Sequence, residues 1–454
     1  MQLEKIKTEG IAHLSYMVID GKQAAVIDPR RDTEQYLEKA RNAGAQITHV
    51  FETHRNEDYV VGSHALAEQT GARVYHGPVD GGEAVRHANT VRENDQFDIG
   101  SARLRILETP GHTHDSISIA LMDTDVSEQD PVAVFTGDTL FIGDVGRTDF
   151  YPQQREEMAA QLYHSLFDKL LPLGDGVMVL PAHGAGSVCG NAMADREFST
   201  LGFERQQNPR LQLSRDEFIK AKSEEHHYIP PYFEAMEEAN QNAPGRSEVP
   251  HPLPLGPSEF GKALENGALA VDLRTAEAYC GAHIPGSLSL PADVIPAYAG
   301  WMLRYDQDLV LIADGPAMLD SGVHALYRLG FDRIQGYLQP DMTAWEASGA
   351  DYRGVPTLSA KGLKARYDEG EAFALLDVRS IEEFEAGHLR DATHLYLGHL
   401  PDQLKELPRE RPIVTFCGSG KRASVAASLL LRHGFRQVEN CLGSMQACKV
   451  IGCD

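Results

Sequence analysis

Four short polar clusters in the first half of the chain each follow an apolar run. They are Thr53-His54-Arg55-Asn56-Glu57-Asp58-Tyr59, Thr109-Pro110-Gly111-His112-Thr113, Phe135-Thr136-Gly137-Asp138-Thr139 and Pro181-Ala182-His183-Gly184. A histidine taken singly is as often a satisfied core side chain as a ligand. Four strand-end clusters flanked by Gly and Pro can bring imidazoles and a carboxylate to one sheet edge, where a metal is held. Gly111 and Gly137 are expected to supply the turns that aim His112 and Asp138. A second constellation lies near the C-terminus, where the apolar run Ile413 to Phe416 enters Cys417-Gly418-Ser419-Gly420-Lys421-Arg422. A strand, a glycine loop and a helix starting near Arg422 turn backbone N–H groups inward and add the positive end of the helix. Those dipoles, with Lys421 and Arg422, should lower the pKa of the Cys417 thiol, giving a nucleophile or a seat for a thiolate carrying an extra sulfur. A buried inert cysteine is the alternative, and Gly, Ser, Lys and Arg are the wrong neighbours for one.

The elements that must position these residues read as interleaved helices and strands. Ser15 to Asp28 forms two strands joined at Asp20-Gly21, and a helix runs from Thr33 to Gly44. Strands follow at Ile47–Phe51, Ala102–Glu108, Ser116–Met122, Val132–Phe135 and Val177–Leu180, with a helix over Arg155–Leu171. A layered α/β domain over residues 1–243 results. Prolines at 244, 250, 252, 254 and 257 mark a linker, Asn242 to Pro257, that should block helix and ladder alike. Beyond it the chain repeats: Val271-Asp272-Leu273-Arg274 and His283-Ile284 recur 105 residues later as Leu376-Asp377-Val378-Arg379 and His388-Leu389. Two modules of about 100 residues, 255–350 and 355–454, close the chain.

Bulk properties bound the function. The 454 residues are too many for one core, 42% are hydrophobic, and the formal net charge is −24 with no basic run. Nucleic acid and anionic membrane are therefore poor partners. Six cysteines without framework spacing, no apolar leader and no long apolar stretch suggest reduced thiols in the cytoplasm.

Asp377-Val378-Arg379, Glu382-Glu383-Phe384, Gly387-His388-Leu389 and the Cys417 loop resemble the rhodanese (sulfurtransferase) superfamily over the last 100 or so residues. Its six-residue Cys-x4-Arg loop is that of rhodaneses that form a cysteine persulfide; related phosphatases use a loop one residue longer. The resemblance implies Cys417, Lys421 and Arg422 as catalytic residues, with Gly418 and Gly420 in the sulfur cradle. In the first module Ala313, Ala317 and Met318 stand opposite Cys417, Lys421 and Arg422. That module has lost nucleophile and cradle together and is expected to be a spacer or docking unit, with Cys280 as packing. Cys441, Cys448 and Cys453 lack a fourth ligand for zinc, and the His226-His227 pair is expected to be solvated on a charged helix.

The four N-terminal clusters resemble the metallo-β-lactamase superfamily over roughly residues 10–190, implying an αββα sandwich ahead of two rhodanese-like α/β domains. Phe135-Thr136-Gly137-Asp138 with Gly146-Arg147-Thr148-Asp149-Phe150 is more narrowly similar to the persulfide dioxygenase branch, and the run Pro181 to Gly190, which includes Cys189, to dioxygenases fused to rhodaneses. The superfamily's His-x-His-x-Asp-His motif departs here, with Asn56 and Tyr59 at two histidine positions. The second metal position then keeps Asp58, His183 and a shared Asp138, too few ligands for a two-zinc centre. His54, His112 and Asp138 remain as a facial triad suited to one Fe(2+), with zinc as the competing ion. Asn56, Asp58, Tyr59 and His183 become its supporting shell. Arg147 is either the family's contact to a substrate carboxylate or an ion pair to Asp149, and Cys189 either a relay or a silent thiol.

The resemblance implies an enzyme that oxidises a low-molecular-weight persulfide with O2 to thiol and sulfite. Cys417 would pass sulfane sulfur to or from thiosulfate, and a homo-oligomer is expected. Two other functions fit the motifs: a dinuclear-zinc thioester hydrolase of glyoxalase II type with a rhodanese tail, and a degenerate, non-catalytic sulfur-binding protein.

Overall fold

The computed structural model describes residues 1–453 apart from 9, 80–84, 188–192 and 243–247. The chain divides into two compact units, Met1–Glu248 and Val249–Asp454.

The first unit holds two sheets. One has the strands β1 (Gln2–Thr8), β2 (His13–Asp20), β3 (Gln23–Ile27), β4 (Gln46–Glu52), β5 (Arg73–His76) and β6 (Asn89–Thr90), in that spatial order. The other has β7 (Gln96–Ile99), β8 (Ala102–Glu108), β9 (Ile117–Asp123), β10 (Ala133–Gly137) and β11 (Met178–Pro181), in the order β11-β10-β9-β8-β7. The period-two alternation of β2 explains the layering. Tyr16 and Val18 join Phe51, Ile106, Ile119 and Phe135 between the sheets. Met17 and Ile19 face the other way, onto Tyr36, Ala40 and Leu66 of the helices Glu34–Asn42 and Ser63–Thr70. On the far side Met122, Val134 and Val179 pack against Leu162, Leu166 and Phe218. This is the αββα sandwich. The expected helix from Arg155 is α-helical only to His164 and continues as a π turn, Ser165–Leu170. From that turn the Ser165 hydroxyl donates to the Pro110 carbonyl at 2.7 Å, tying down the loop that carries His112.

The second unit contains both repeats with one strand order. In the first, β12 (Leu253–Leu255), β13 (Leu269–Asp272), β14 (Leu288–Ser289), β15 (Leu309–Ile312) and β16 (Ile334–Leu338) run β12-β16-β15-β13-β14. In the second, β17 (Thr357–Ser359), β18 (Ala374–Asp377), β19 (Thr393–His394), β20 (Ile413–Phe416) and β21 (Val438–Leu442) run β17-β21-β20-β18-β19. Every pairing in both sheets is parallel. The boundary between units falls inside the proline-rich segment, but that segment does not exclude a ladder. Leu253–Leu255 pairs with Gly336–Leu338 on one side only, and an edge position tolerates Pro254 because half its backbone needs no partner. Among the described residues no helix is long and apolar enough to cross a membrane.

Candidate metal centre and thiol loop

The metal candidates sit at strand ends and are oriented from behind. Thr53 follows β4; its N–H and hydroxyl both donate to the Asp28 carboxylate, at 2.7 and 2.8 Å. Because that hydroxyl proton is committed, Thr53 Oγ1, 3.0 Å from His54 Nδ1, is left to accept from it. His112 Nδ1 lies 3.0 Å from the Arg147 carbonyl, which only accepts. Both imidazoles are thus held as the Nδ1–H form with the Nε2 lone pair turned inward, the arrangement a metal-ligating histidine takes. Gly137 has φ 51°, and a Cβ there would stand 2.6 Å from Thr53 Oγ1; Gly111 has φ 140° and packs against the backbone of Leu162. The two turns therefore need glycine, as the sequence suggests.

The inward atoms converge on Asp138. Its Oδ2 is 3.9 Å from His54 Nε2 and 3.6 Å from His112 Nε2, and among the described residues these three are the group whose donor atoms all lie within 4.8 Å. Among the described residues neither Nε2 atom has a hydrogen-bond partner, and all three side chains are buried. Two lone pairs and a carboxylate oxygen facing one another out of water repel unless a cation lies among them. The residues present fit a divalent metal.

The remaining expected residues surround this group. His183 puts Nδ1 2.7 Å from Asp138 Oδ1 and Nε2 3.0 Å from Asp58 Oδ2, so its ring joins the two carboxylates. Burial lowers the His183 pKa, but the facing Asp138 and Asp58 outweigh it and hold it well above the usual range. Tyr59 is buried, its ring centroid 4.3 Å from that of His13. Burial, then the nearby Asp28 and Asp58, push its phenol well up, so it stays protonated. Asn56 turns its amide to the His54 carbonyl at 3.3 Å. Two residues escaped the sequence reading. Asn240, from the helix Phe233–Asn242, donates to the Asn56 and Tyr59 carbonyls at 2.7 and 2.8 Å and accepts from the Val61 N–H at 2.9 Å, pinning the whole ligand loop. Glu57 sits inside the motif at a position the motif leaves variable; its Oε1 is 3.3 Å from His112 Nε2 and its Oε2 4.0 Å from His54 Nε2.

Arg147 forms the ion pair of its two expected roles. It is buried and grips Asp149 through Nε and Nη2 at 2.7 and 2.8 Å, with Phe150 and Phe233 near its guanidinium. His226 and His227 do not lie on a helix, since Arg215–Ser223 ends before them; His226 is exposed, as expected, whereas the half-buried His227 bonds Glu225 at 3.1 Å. Cys189 lies outside the described residues.

In the second unit Cys417 follows β20 and is buried. The Gly420 N–H donates to its Sγ at 3.1 Å, and its own N–H donates to Ser444 Oγ at 3.1 Å. Ser444 takes φ 39° to reach this place and donates to the Cys441 carbonyl; only its position after Gly443 at a strand end could have signalled it. The cations of the expected cradle are bound by carboxylates. Arg422 grips Glu383 at 2.5 and 2.7 Å, and Lys421 pairs with Asp293 of the first repeat. Further bonds join the repeats: Ser289 Oγ to Ser424 Oγ at 3.0 Å, Arg432 to the Gly286 carbonyl, and Asn440 Nδ2 to Cys280 Sγ at 3.5 Å. The first repeat thus packs directly on the helix that follows the thiol loop. Ala313, just after β15, holds the place of Cys417.

Known proteins match this geometry. The Metallo-beta-lactamase superfamily description fits residues 9–183, and the Rhodanese-like domain fits residues 256–348 and 359–450. The mitochondrial persulfide dioxygenase ETHE1 of Bos taurus is 30% identical over 203 residues, 44% of this chain and 71% of that protein. The chain belongs to the persulfide dioxygenase family of the metallo-β-lactamase superfamily. Two rhodanese-like domains follow its dioxygenase-like domain. A metallo-β-lactamase structure from Staphylococcus aureus subsp. aureus COL is 31% identical, with a TM-score of 0.66, and covers 74% of this chain and 98% of its own. ETHE1 from Myxococcus xanthus is 32% identical, with a TM-score of 0.46, over 53% of this chain and 98% of its own.

Proposed function

We propose that the first unit oxidises the terminal sulfur of a low-molecular-weight persulfide to sulfite, and that the second moves sulfane sulfur through Cys417. The supporting observation is the convergence of His54 Nε2, His112 Nε2 and Asp138 Oδ2 with both Nδ1 atoms tied down. Fe(2+) held by these three residues supplies the redox chemistry with dioxygen; one ion per chain is the stoichiometry the donor set suits. The overall reaction balances as RSSH + O2 + H2O giving RSH and H2SO3. The chain's own part is to hold the site dry and the ligands fixed: the Asp28–Thr53 pair and the Arg147 carbonyl orient the imidazoles, and His183 orients Asp138.

Sulfur transfer rests on a separate arrangement. The Cys417 thiolate attacks the sulfane sulfur of thiosulfate, the S–S bond breaks, and sulfite leaves; Cys417 retains the extra sulfur. The reverse, sulfite attacking the loaded Cys417, returns thiosulfate. Loop amides such as Gly420 N–H, already on Sγ, stabilise the anionic sulfur. With both steps in one chain, covalent linkage raises the effective concentration of the second activity around the source of sulfite. Reduced, sparse thiols suit a cytoplasmic enzyme.

The test is oxygen consumption on glutathione persulfide by protein purified without oxygen, with metal analysis on the same sample. About one iron per chain and persulfide-dependent uptake are expected. Two tightly bound zincs with thioester hydrolysis would replace this reading with the hydrolase.

A further inference from the structure

The Cys417 loop carries two cations and meets two carboxylates. Arg422 is gripped by Glu383 of its own repeat, at 2.5 and 2.7 Å. Lys421 pairs with Asp293, which the first repeat supplies. The positive charges beside the thiol are matched one for one, and one of the two partners comes from the repeat that has no nucleophile of its own.

Asp293 stands where a sulfur donor must pass. Within the loop Cys417 and Gly420 are buried, Gly418, Ser419 and Arg422 are half-buried, and Lys421 is exposed. A donor therefore approaches the buried sulfur across the edge formed by those last four residues. The Lys421 and Asp293 side chains are 53% and 59% exposed, so their pair lies open at this edge. An exposed pair holds its partners only weakly. Asp293 is fixed instead by the chain around it. The Ala292 N–H donates to the Leu273 carbonyl at 3.1 Å and the Val294 N–H to the Pro291 carbonyl at 2.7 Å. The helix that follows, Ile295–Met302, buries Tyr298, whose phenol bonds Arg422 and whose ring lies 6.2 Å from that of Tyr396.

Charge at the mouth of a site selects among ligands by their charge. Lys421 by itself would draw a dianion such as thiosulfate toward the loop. With Asp293 against it that attraction is cancelled, and each further negative charge on a donor meets a fixed carboxylate.

We propose that Asp293 is a specificity-determining residue of the Cys417 site, turning the loop away from doubly charged sulfur donors in favour of singly charged ones. This rests on the reading that Cys417 transfers sulfane sulfur. Asp293 takes no part in the bond changes, which are the same for both kinds of donor. The Cys417 thiolate attacks the sulfane sulfur, the S–S bond breaks, and its electron pair leaves with sulfite or, from a thiosulfonate, with a sulfinate. Cyanide then removes the outer sulfur as thiocyanate and returns the thiolate.

The test compares thiosulfate with the methanethiosulfonate anion, which presents the same sulfane group but carries a methyl in place of one charged oxygen. kcat/KM for each donor is measured on the full-length chain with cyanide as acceptor. Asp293→Asn keeps the shape of the side chain and removes its charge. It is expected to raise the thiosulfate-to-methanethiosulfonate ratio of kcat/KM about 3- to 10-fold. The rise should shrink between about 0.01 and 1 M ionic strength, as the screening length falls from about 30 to 3 Å. Asp293→Glu, which keeps the charge, should keep the parent ratio, and Lys421→Gln, which leaves the carboxylate uncompensated, should lower it. An unchanged ratio in Asp293→Asn, or a rise indifferent to salt, would overturn the proposal while leaving sulfur transfer in place. A parent chain that takes sulfur from neither donor would remove the sulfur-transfer reading, and the proposal with it.

Discussion

His183 Nδ1 lies 2.7 Å from Asp138 Oδ1 while the other oxygen of that carboxylate points at His54 and His112. One carboxylate therefore faces the candidate metal group and His183 at once, and His183 serves as its support. Asp138→Ala should remove metal and oxygen uptake together. His183→Ala should still bind one metal per chain at saturation, with affinity reduced about 10- to 100-fold because Asp138 is no longer held. Equilibrium dialysis with Fe(II) under nitrogen measures both. Complete loss of metal in His183→Ala would make that residue a ligand.

Asn240 reaches the ligand loop from 180 or so residues away and satisfies three backbone groups of it at 2.7–2.9 Å. Asn240→Ala leaves two carbonyls and one N–H buried without these partners, at about 1–3 kcal/mol for each such group. The expected result is a lowered thermal midpoint in the first unit and weaker metal binding, with sulfur transfer through Cys417 unaffected. Metal affinity equal to the parent's would show that the loop is held by other means.

How much of this could be read in the sequence differs between residues. The strand ends carrying His54, His112 and Asp138 were legible because apolar alternation and Gly turns are local signals. Glu57 was not, since a motif marks its position as variable and only packing turns that side chain inward. Asn240 was invisible for the same reason; its partners are remote in sequence. The sequence places Lys421 and Arg422 beside Cys417 but gives no sign of the carboxylates that pair with them, since Glu383 is remote in sequence and Asp293 belongs to the other repeat. Pro254 misled because proline density says nothing about which strand lies at an edge.

Glu225 gathers Lys222, His227 and Arg210, the first two at 2.5 and 3.1 Å. Burial raises its pKa, but hydrogen bonds from His227 and Lys222 and the charges of Lys222 and Arg210 reverse this and bring it from 4.5 to about 2. A depressed carboxyl stabilises the fold above its unfolded pKa and loses that contribution as pH falls toward the folded value. The contribution is on the order of 3 kcal/mol, present above about pH 4.5 and fading toward pH 2. Urea unfolding of Glu225→Gln should show a deficit at pH 6 that shrinks by pH 3. A deficit independent of pH would remove the ionic explanation.

Arg274 grips Asp272 through Nε and Nη2 at 2.9 and 2.7 Å and also donates to the Ala282 carbonyl. Arg379 does the same to Asp377 and to the Gly387 carbonyl in the second repeat. The Asp-x-Arg motif persists where the nucleophile is gone because its work is to clamp strand to helix. Asp272→Ala leaves a buried guanidinium and should destabilise the second unit by about 3–5 kcal/mol. Turnover per folded molecule should not change. Reduced turnover at full stability would give the first repeat a part in the chemistry.

Cys417 supplies the last prediction. Its Sγ receives the Gly420 N–H and its backbone is fixed by Ser444, while the metal group belongs to a separate unit with its own core. Cys417→Ser replaces a sulfur that can carry a second sulfur by an oxygen that cannot, with little change in volume. Thiosulfate:cyanide sulfur transfer should fall to background, while oxygen uptake on a persulfide stays close to the parent rate. Ser444→Ala keeps the thiol but leaves the buried Cys417 N–H without its acceptor, so it should slow transfer without abolishing it, by about 10- to 100-fold for roughly 1–3 kcal/mol of lost positioning. Mass spectrometry of the thiosulfate-treated parent should place the added 32 Da on Cys417, the mass of one sulfur atom and a direct mark of the persulfide. The buried Cys441, whose thiol burial pushes up to about 12, should stay unlabelled. Undiminished transfer by Cys417→Ser, or the extra sulfur found on Cys441 instead, would take the sulfurtransferase role away from this loop.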